Sequence, residues 1–257
     1  MSQSALFYQA IFQSRLDSEA EWLRQGAKAK ADAIQALAAH LPHPLESLCE
    51  MGCGTGAVLE ECIRRGLAKE YIGADASKEA LDWVRRRNPG KINLIHHDLE
   101  SGAPELGLLP SIVVLSHILE HLRNPEVLLA SLCGKCNYLI AEVPLENQIF
   151  PNSRAWVRSK IFRKARTDNP SGHVQFFSRS SFRKLMASSG WKILAQRIYI
   201  PYQNIALLFS ARSGESVPWR SLFPYFVFKL FGRRVASRIL CVHFAILAVP
   251  SDLASKC

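Results

Sequence analysis

Apolar positions along this chain fall into short strand-length runs alternating with helical faces. From Glu19 to His40, the residues Trp22, Leu23, Ile34 and Leu37 recur near a helical period among many alanines, and Leu41 extends the face. Pro42 and Pro44 then end the segment. Strand-like runs follow at Leu45–Glu50, Tyr71–Ala74, Ile92–His96, Ile112–Ser116 and Tyr138–Val143. Helix signals fill the gaps. Val58, Leu59, Cys62 and Ile63 share a face that Gly66 closes. Ser77 offers an N-cap to a helix carrying Leu81, Trp83 and Val84, which stops at Asn88-Pro89-Gly90. Asn124-Pro125-Glu126 supplies a cap, a proline in the first turn and an acid at the positive end of the dipole, and that helix ends near Gly134. Apolar strands alternating with helices predict a parallel sheet covered on both faces.

The pattern changes after residue 150. Ser180–Ser189 reads as a helix with Phe182, Leu185 and Met186 inward, closed by Gly190. Trp191–Ile200 and His243–Val249 are strand-like. Ser153–Arg166 and Trp219–Leu240 read as helices, the second interleaving aromatic residues with arginines. The expected division is a helical lead over 1–44, a core over 45–150, and basic, substrate-facing helices over 151–257 that complete the sheet.

Charge sharpens this division. The 257 residues carry a net charge of +10. Residues 151–257 hold 18 Lys/Arg against 3 Asp/Glu, whereas residues 1–150 hold 14 against 19. The second part is therefore expected to meet something anionic. The longest apolar stretch, Ile239–Pro250, has 12 residues and contains His243, whereas a spanning helix needs about 20. Met1–Phe12 has no basic residue and so lacks the charged start of a signal peptide. The expectation is a cytoplasmic protein, with peripheral membrane contact through 219–240 as one use of the charge. Seven cysteines read as reduced thiols. The CxxC of Cys133 and Cys136 has no second pair to complete a zinc site.

The first strand runs straight into Glu50-Met51-Gly52-Cys53-Gly54-Thr55-Gly56, and a helix follows. Such glycines allow positive φ and close approach of a ligand, and the helix start presents free N–H groups. Asp75 ends the second strand, where a ribose hydroxyl is bound in nucleotide-type folds. Taken alone, these residues suit NAD as well as S-adenosylmethionine, because Ala57 also completes a GxGxxA pattern.

A wider set of segments narrows the choice. The glycine loop resembles motif I of the class I S-adenosylmethionine-dependent methyltransferases. Tyr71–Ser77 resembles their second motif, His96–Glu100 their third, Val113–Pro125 their fourth-strand segment with its LEH, and Gly172–Trp191 a later segment of their small-molecule group. The resemblance covers residues 45–200. It implies a doubly wound, mostly parallel α/β sheet of seven strands, Rossmann-like, with helices on both faces and a helical basic C-terminal insertion. It also implies that Gly52, Gly54 and Gly56 approach the methionine part and sugar of the cofactor, with Glu50 placing its amino end. Asp75 would accept from the ribose hydroxyls and Asp98 from the adenine amine, and Ser116 and His117 would line the methionine side.

His117, Glu120 and His121 stand at i, i+3, i+4, a spacing that would share a face in a helical turn. The segment resembles methyltransferases in which ExxEH and a distant histidine hold a divalent metal, with His117 here replacing the first glutamate. Two readings follow. Glu120, His121 and His173, with or without His117, hold a metal that lowers the pKa of an acceptor hydroxyl, or His173 or His121 acts as a metal-free general base. The resemblance points to methylation of a hydroxyl on a small molecule or glycan, such as a phosphorylated or lipid-linked surface polysaccharide intermediate that would suit the basic tail. An RNA 2′-O-methyltransferase, an NAD-dependent dehydrogenase and a non-catalytic cofactor-binding protein are the alternatives.

Overall fold

The computed structural model describes residues 1–42, 44–145, 172–199, 230 and 243–252. The expected helix over 153–166, and that over 219–240 apart from Leu230, lie outside these residues. The elements are α1 (Gln3–Ala38), β1 (Leu45–Met51), α2 (Ala57–Arg64), β2 (Ala68–Asp75), α3 (Lys78–Arg87), β3 (Asn93–His96), β4 (Ile112–Ser116), α4 (Pro125–Leu132), β5 (Tyr138–Pro144), α5 (Arg179–Ser188), β6 (Trp191–Tyr199) and β7 (His243–Pro250). They build one seven-stranded sheet in the order β3-β2-β1-β4-β5-β7-β6. β1 to β5 pair in parallel, and β7 enters antiparallel between β5 and β6. The expected strands are all present.

Alternation along β4 shows how two cores form. Ile112 and Val114 face the helices α1 and α2, together with Leu48 and Leu59. Val113 and Leu115 face the opposite side with Leu128, Leu132, Phe182 and Trp191. Each face of the sheet is buried, as a parallel sheet requires.

Of the expected helix caps, Ser77 forms its bond, whereas Asn124 precedes α4 with no side-chain cap bond and leaves Pro125 to mark the start. The Ser77 hydroxyl accepts from the Ala80 N–H at 3.2 Å. The helix expected from Ser180 starts slightly earlier, because Ser178 and Ser181 form a reciprocal capping box. The larger difference is α1, which begins at Gln3 rather than Glu19, with a break at Arg15 (φ −152°, ψ 43°). Its first half carries Phe7, Tyr8 and Phe12, which line the central cavity rather than a helix–sheet core. An expectation built on helix–sheet packing stops where that packing stops.

Gly56 shows why this loop has so little sequence freedom. It sits at φ +76°, and an added Cβ would lie 2.9 Å from Val84 Cγ2 on α3. Gly56→Ala is expected to cost about 2–4 kcal/mol, combining left-handed strain with overpacking. Gly26 is the internal control. It lies inside α1 with nothing within 4 Å of its Cβ position, so Gly26→Ala gains roughly 0.5–1 kcal/mol. Urea unfolding of both variants checks the pair; equal midpoints would contradict the packing argument.

Candidate active site

A cavity of about 650 Å³ opens at the carboxyl ends of the parallel strands, where ligands collect in open α/β folds. Its walls include Glu50 on β1 with Gly52 and Gly54 after it, Asp75 at the end of β2, Ser116 at the end of β4 with His117 after it, and Asp98. His121, His173 and His243 line the same space. The sequence-predicted cofactor and catalytic residues named here thus share one cavity. Glu120 lies just beneath it, fully buried.

The glycine loop is shaped for close approach. Gly52, Gly54 and Gly56 have φ of 74°, 52° and 76°. A Cβ on Gly52 would fall 1.8 Å from Ile118 Cδ1. Asp75 braces the loop, its Oδ2 accepting from the Gly54 N–H at 2.8 Å and its Oδ1 from the Ser77 N–H at 2.9 Å. Burial raises its pKa although these N–H groups oppose the shift.

These residues fit S-adenosylmethionine. The loop leaves room where a side chain would intrude, and the Asp75 carboxylate beside it is a hydrogen-bond acceptor lining the cavity. Three buried oxygens around the loop, Glu50 Oε2, Thr55 Oγ1 and Ser116 Oγ, lack a hydrogen-bond partner among the described residues. Asp98 instead accepts from the N–H of Ser2 at 2.5 Å and from its hydroxyl at 2.9 Å. The start of α1 therefore lies over the Asp98 end of the cavity.

The histidine segment is not a helix. Leu119–His121 forms a single 3₁₀ turn. His117 precedes it with φ 59°, the one left-handed non-glycine among the described residues. The expected shared helical face is thus replaced by a tighter arrangement. His117 Nδ1 lies 2.9 Å from Glu120 Oε1, and its Nε2 lies 3.1 Å from Glu142 Oε1. Burial and Lys30 press His117 toward neutrality, but Glu120 and Glu142 outweigh them and its pKa is raised. Burial works against the charge of Glu120 too, yet His117 and its neighbours hold it down to about 2.

His121 sits in a different environment. The Tyr8 hydroxyl lies 2.8 Å from its Nε2 and 3.2 Å from Nδ1, and Nδ1 lies 3.3 Å from the Gly172 carbonyl. A carbonyl can only accept, so Nδ1 carries the proton and Nε2 accepts from Tyr8. Burial lowers the pKa of His121 to about 4, leaving it neutral near pH 7. The His173 ring meets it edge-on, with centroids 4.7 Å apart. Backbone bonds from Val174 and Gln175 to the Glu120 carbonyl (2.8 and 3.0 Å) fix the loop that carries His173. One ligand atom each from Glu120, His121 and His173 falls within 4.8 Å of the others, so the structure brings the predicted metal set together.

Sequence reasoning missed Glu142, His243 and the cavity residues of α1. Glu142 and His243 lie within apolar strand runs, where a polar residue was the one available signal. In α1, the i, i+4 spacing of Tyr8 and Phe12 was such a signal. Burial raises the pKa of Cys133 and lifts that of Cys136 to about 12, which disfavours the thiolate in the CxxC.

These shifts make stability depend on pH in a defined way. Burial holds His121 and His243 down to about 4. The unfolded chain therefore binds two protons, between that value and about 6.5, that the fold does not. Glu50, pushed up to about 8 by burial against Lys30, works the other way from its ordinary 4.5 upward. The net result is stability rising with pH toward 6.5, opposed on the acid side by Asp75, whose raised pKa also holds a proton in the fold. Above that, Glu50 and the raised His117 both lose stabilising protons and stability falls. The urea midpoint is expected to peak near pH 6.5 and to be lower near pH 5 and pH 8. A midpoint climbing steadily across this range would contradict the assignment.

Fold and cavity together define a class I methyltransferase. The chain belongs to the methyltransferase-domain family, whose model matches residues 22–196. It is an S-adenosylmethionine-dependent methyltransferase. No curated protein matches it. Among solved structures, it is similar to magnesium protoporphyrin IX methyltransferase from Synechocystis PCC 6803 with bound S-adenosylhomocysteine (14% identity, TM-score 0.61, 96% of this chain and 99% of that one). It is also similar to the complex of the Haloferax volcanii Trm112 methyltransferase activator with its methyltransferase (15%, 0.64, 95% and 97%). A third is the plantazolicin methyltransferase BamL (12%, 0.55, 96% and 96%). At these identities the likeness shows the fold. Among the described residues, no helix is long and apolar enough to cross a membrane.

Proposed function

We propose that the protein methylates a hydroxyl of an anionic small molecule or glycan, with His173 as the base. The observation that carries this reading is the shared cavity: the glycine loop and Asp75 line the same space as His121 and His173. When bound, S-adenosylmethionine supplies an activated methyl on a sulfonium sulfur. Gly52, Gly54, Gly56, Glu50, Asp75, Asp98, Ser116 and His117 are the residues proposed to hold it.

A single cavity holding both groups aligns the acceptor with the cofactor site, and such alignment is worth about 7–11 kcal/mol in favourable cases. His173 takes the hydroxyl proton. His121, neutral and held by Tyr8, orients it edge-to-ring. Glu120 lies near both imidazoles and stabilises the imidazolium that forms. The clustering of Glu120, His121 and His173 also supports the second reading, in which they hold a divalent metal.

The anionic character rests on the surplus of residues 151–257, 18 Lys/Arg against 3 Asp/Glu. It follows that the substrate-facing part of the proposed 1–44, 45–150, 151–257 division carries that charge. The names of the magnesium protoporphyrin IX and plantazolicin methyltransferases support a small acceptor. The same charge would serve peripheral contact with an anionic membrane surface.

The test is transfer of a labelled methyl group from S-adenosylmethionine to a panel of phosphorylated sugars, lipid-linked saccharides, neutral alcohols and structured RNA. Label on the phosphorylated or lipid-linked hydroxyls is the expected result. Label on RNA alone, or on none of these acceptors, would reject the reading.

A further inference from the structure

A second cluster lies beside the first, joined to it where His117 Nδ1 meets Glu120 Oε1 at 2.9 Å. His117 Nε2, His243 Nδ1 and Glu142 Oε1 converge on a single point. His117 to His243 is 2.9 Å, His243 to Glu142 is 3.0 Å, and His117 to Glu142 is 3.1 Å. Three atoms at nearly equal mutual distances are poorly served by hydrogen bonds alone, because at least one edge of the triangle has no proton to share. A metal ion satisfies all three edges at once. Adjacent ligand atoms of a six-coordinate ion with bonds of about 2.1 Å lie about 3.0 Å apart, so the triangle has the size of one octahedral face.

We propose that His117, Glu142 and His243 form a facial site for a first-row divalent transition ion, open toward the cofactor cavity. Two imidazoles and one carboxylate select such an ion over magnesium or calcium.

The surroundings are those of a metal site. His117 and His243 both line the cavity, which leaves the open side facing it. The Nδ1 of His117 meets the fully buried Glu120 at 2.9 Å, the carboxylate–histidine support that metal-bound histidines characteristically have. All three ligands stand on the sheet or beside it. Glu142 is on β5 and His243 on β7, joined by the antiparallel ladder. His117 follows β4 directly, and its N–H donates to the Glu142 carbonyl at 3.1 Å. Its left-handed φ turns the residue at the end of that strand. Lys30 adds a positive charge that acts on His117 and His243; the two carboxylates outweigh it. An ion here would polarise an acceptor oxygen entering the cavity.

The test uses the full chain stripped with a chelator and titrated calorimetrically with Zn²⁺, Mn²⁺ or Co²⁺ alone. One ion per chain is expected. Glu142→Gln and His243→Gln should each weaken binding at least about tenfold, while His173→Ala should bind as the wild type does. Absence of stoichiometric binding by all three ions would overturn the proposal. So would loss of binding in His173→Ala with retention in His243→Gln, which would place the ion on the Glu120–His121–His173 set. The visible spectrum of the Co²⁺-loaded wild-type protein keeps the proposal testable should a variant not fold. Weak six-coordinate bands are expected, and intense tetrahedral bands would refute the face geometry. None of these readouts depends on methyl transfer, so the outcome is separable from the acceptor assignment.

Discussion

His173→Ala is expected to lose about 10²–10⁴-fold in kcat while its affinity for S-adenosylmethionine stays within roughly twofold of wild type. The split follows from position. His173 lines the cavity from a loop pinned to the Glu120 carbonyl, apart in sequence from the glycine loop. Its ring packs edge-on against His121. Removing it takes away a proton acceptor and leaves the loop–Asp75 bracing intact. A general base takes up a proton in the transition state, so its loss should fall on kcat rather than on cofactor affinity. His121 is not its substitute. With both ring nitrogens engaged and its pKa held down to about 4, it is a poor place for a proton. Steady-state rates, with calorimetry for the cofactor, decide the matter. Full activity in His173→Ala would remove that residue from the chemistry.

Asp75→Ala should raise the Kd for S-adenosylmethionine by about 100-fold. Two hydrogen bonds from hydroxyls to a buried carboxylate are worth about 3 kcal/mol together at the low end, and each 1.4 kcal/mol is tenfold. There is a second loss. Asp75 accepts from the N–H groups of Gly54 and Ser77, so it also shapes the loop before any cofactor arrives. Asp75→Asn should therefore fall between wild type and alanine, because its side-chain oxygen can keep one of those bonds. Calorimetric titration measures all three proteins. A Kd within threefold of wild type for the alanine variant would sink the role given to Asp75.

Local signals carried the sheet, and the reason is chemical. The parallel strands are buried on both faces and so read as continuous apolar runs such as Ile112–Leu115. Ser77 and Asn124-Pro125 mark helix starts through backbone chemistry that needs no distant partner. The glycine loop with Asp75 was legible for the same reason: its strand–turn–helix context is contiguous. The start of α1 was not legible, because Ser2 meets Asp98 and Tyr8 meets His121 across about a hundred residues.

The histidine segment divides the two kinds of information most clearly. From its letters, the sequence by itself determined that His117, Glu120 and His121 stand close together after the fourth strand. It could not determine which groups they meet. The 3₁₀ turn and the left-handed backbone at His117 aim that ring at Glu142, 25 residues on, and at His243, 126 residues on. Spacing within one segment is set by local backbone geometry. Pairing between segments is set by the order in which strands join the sheet, and the antiparallel entry of β7 beside β5 is what brought His243 to Glu142.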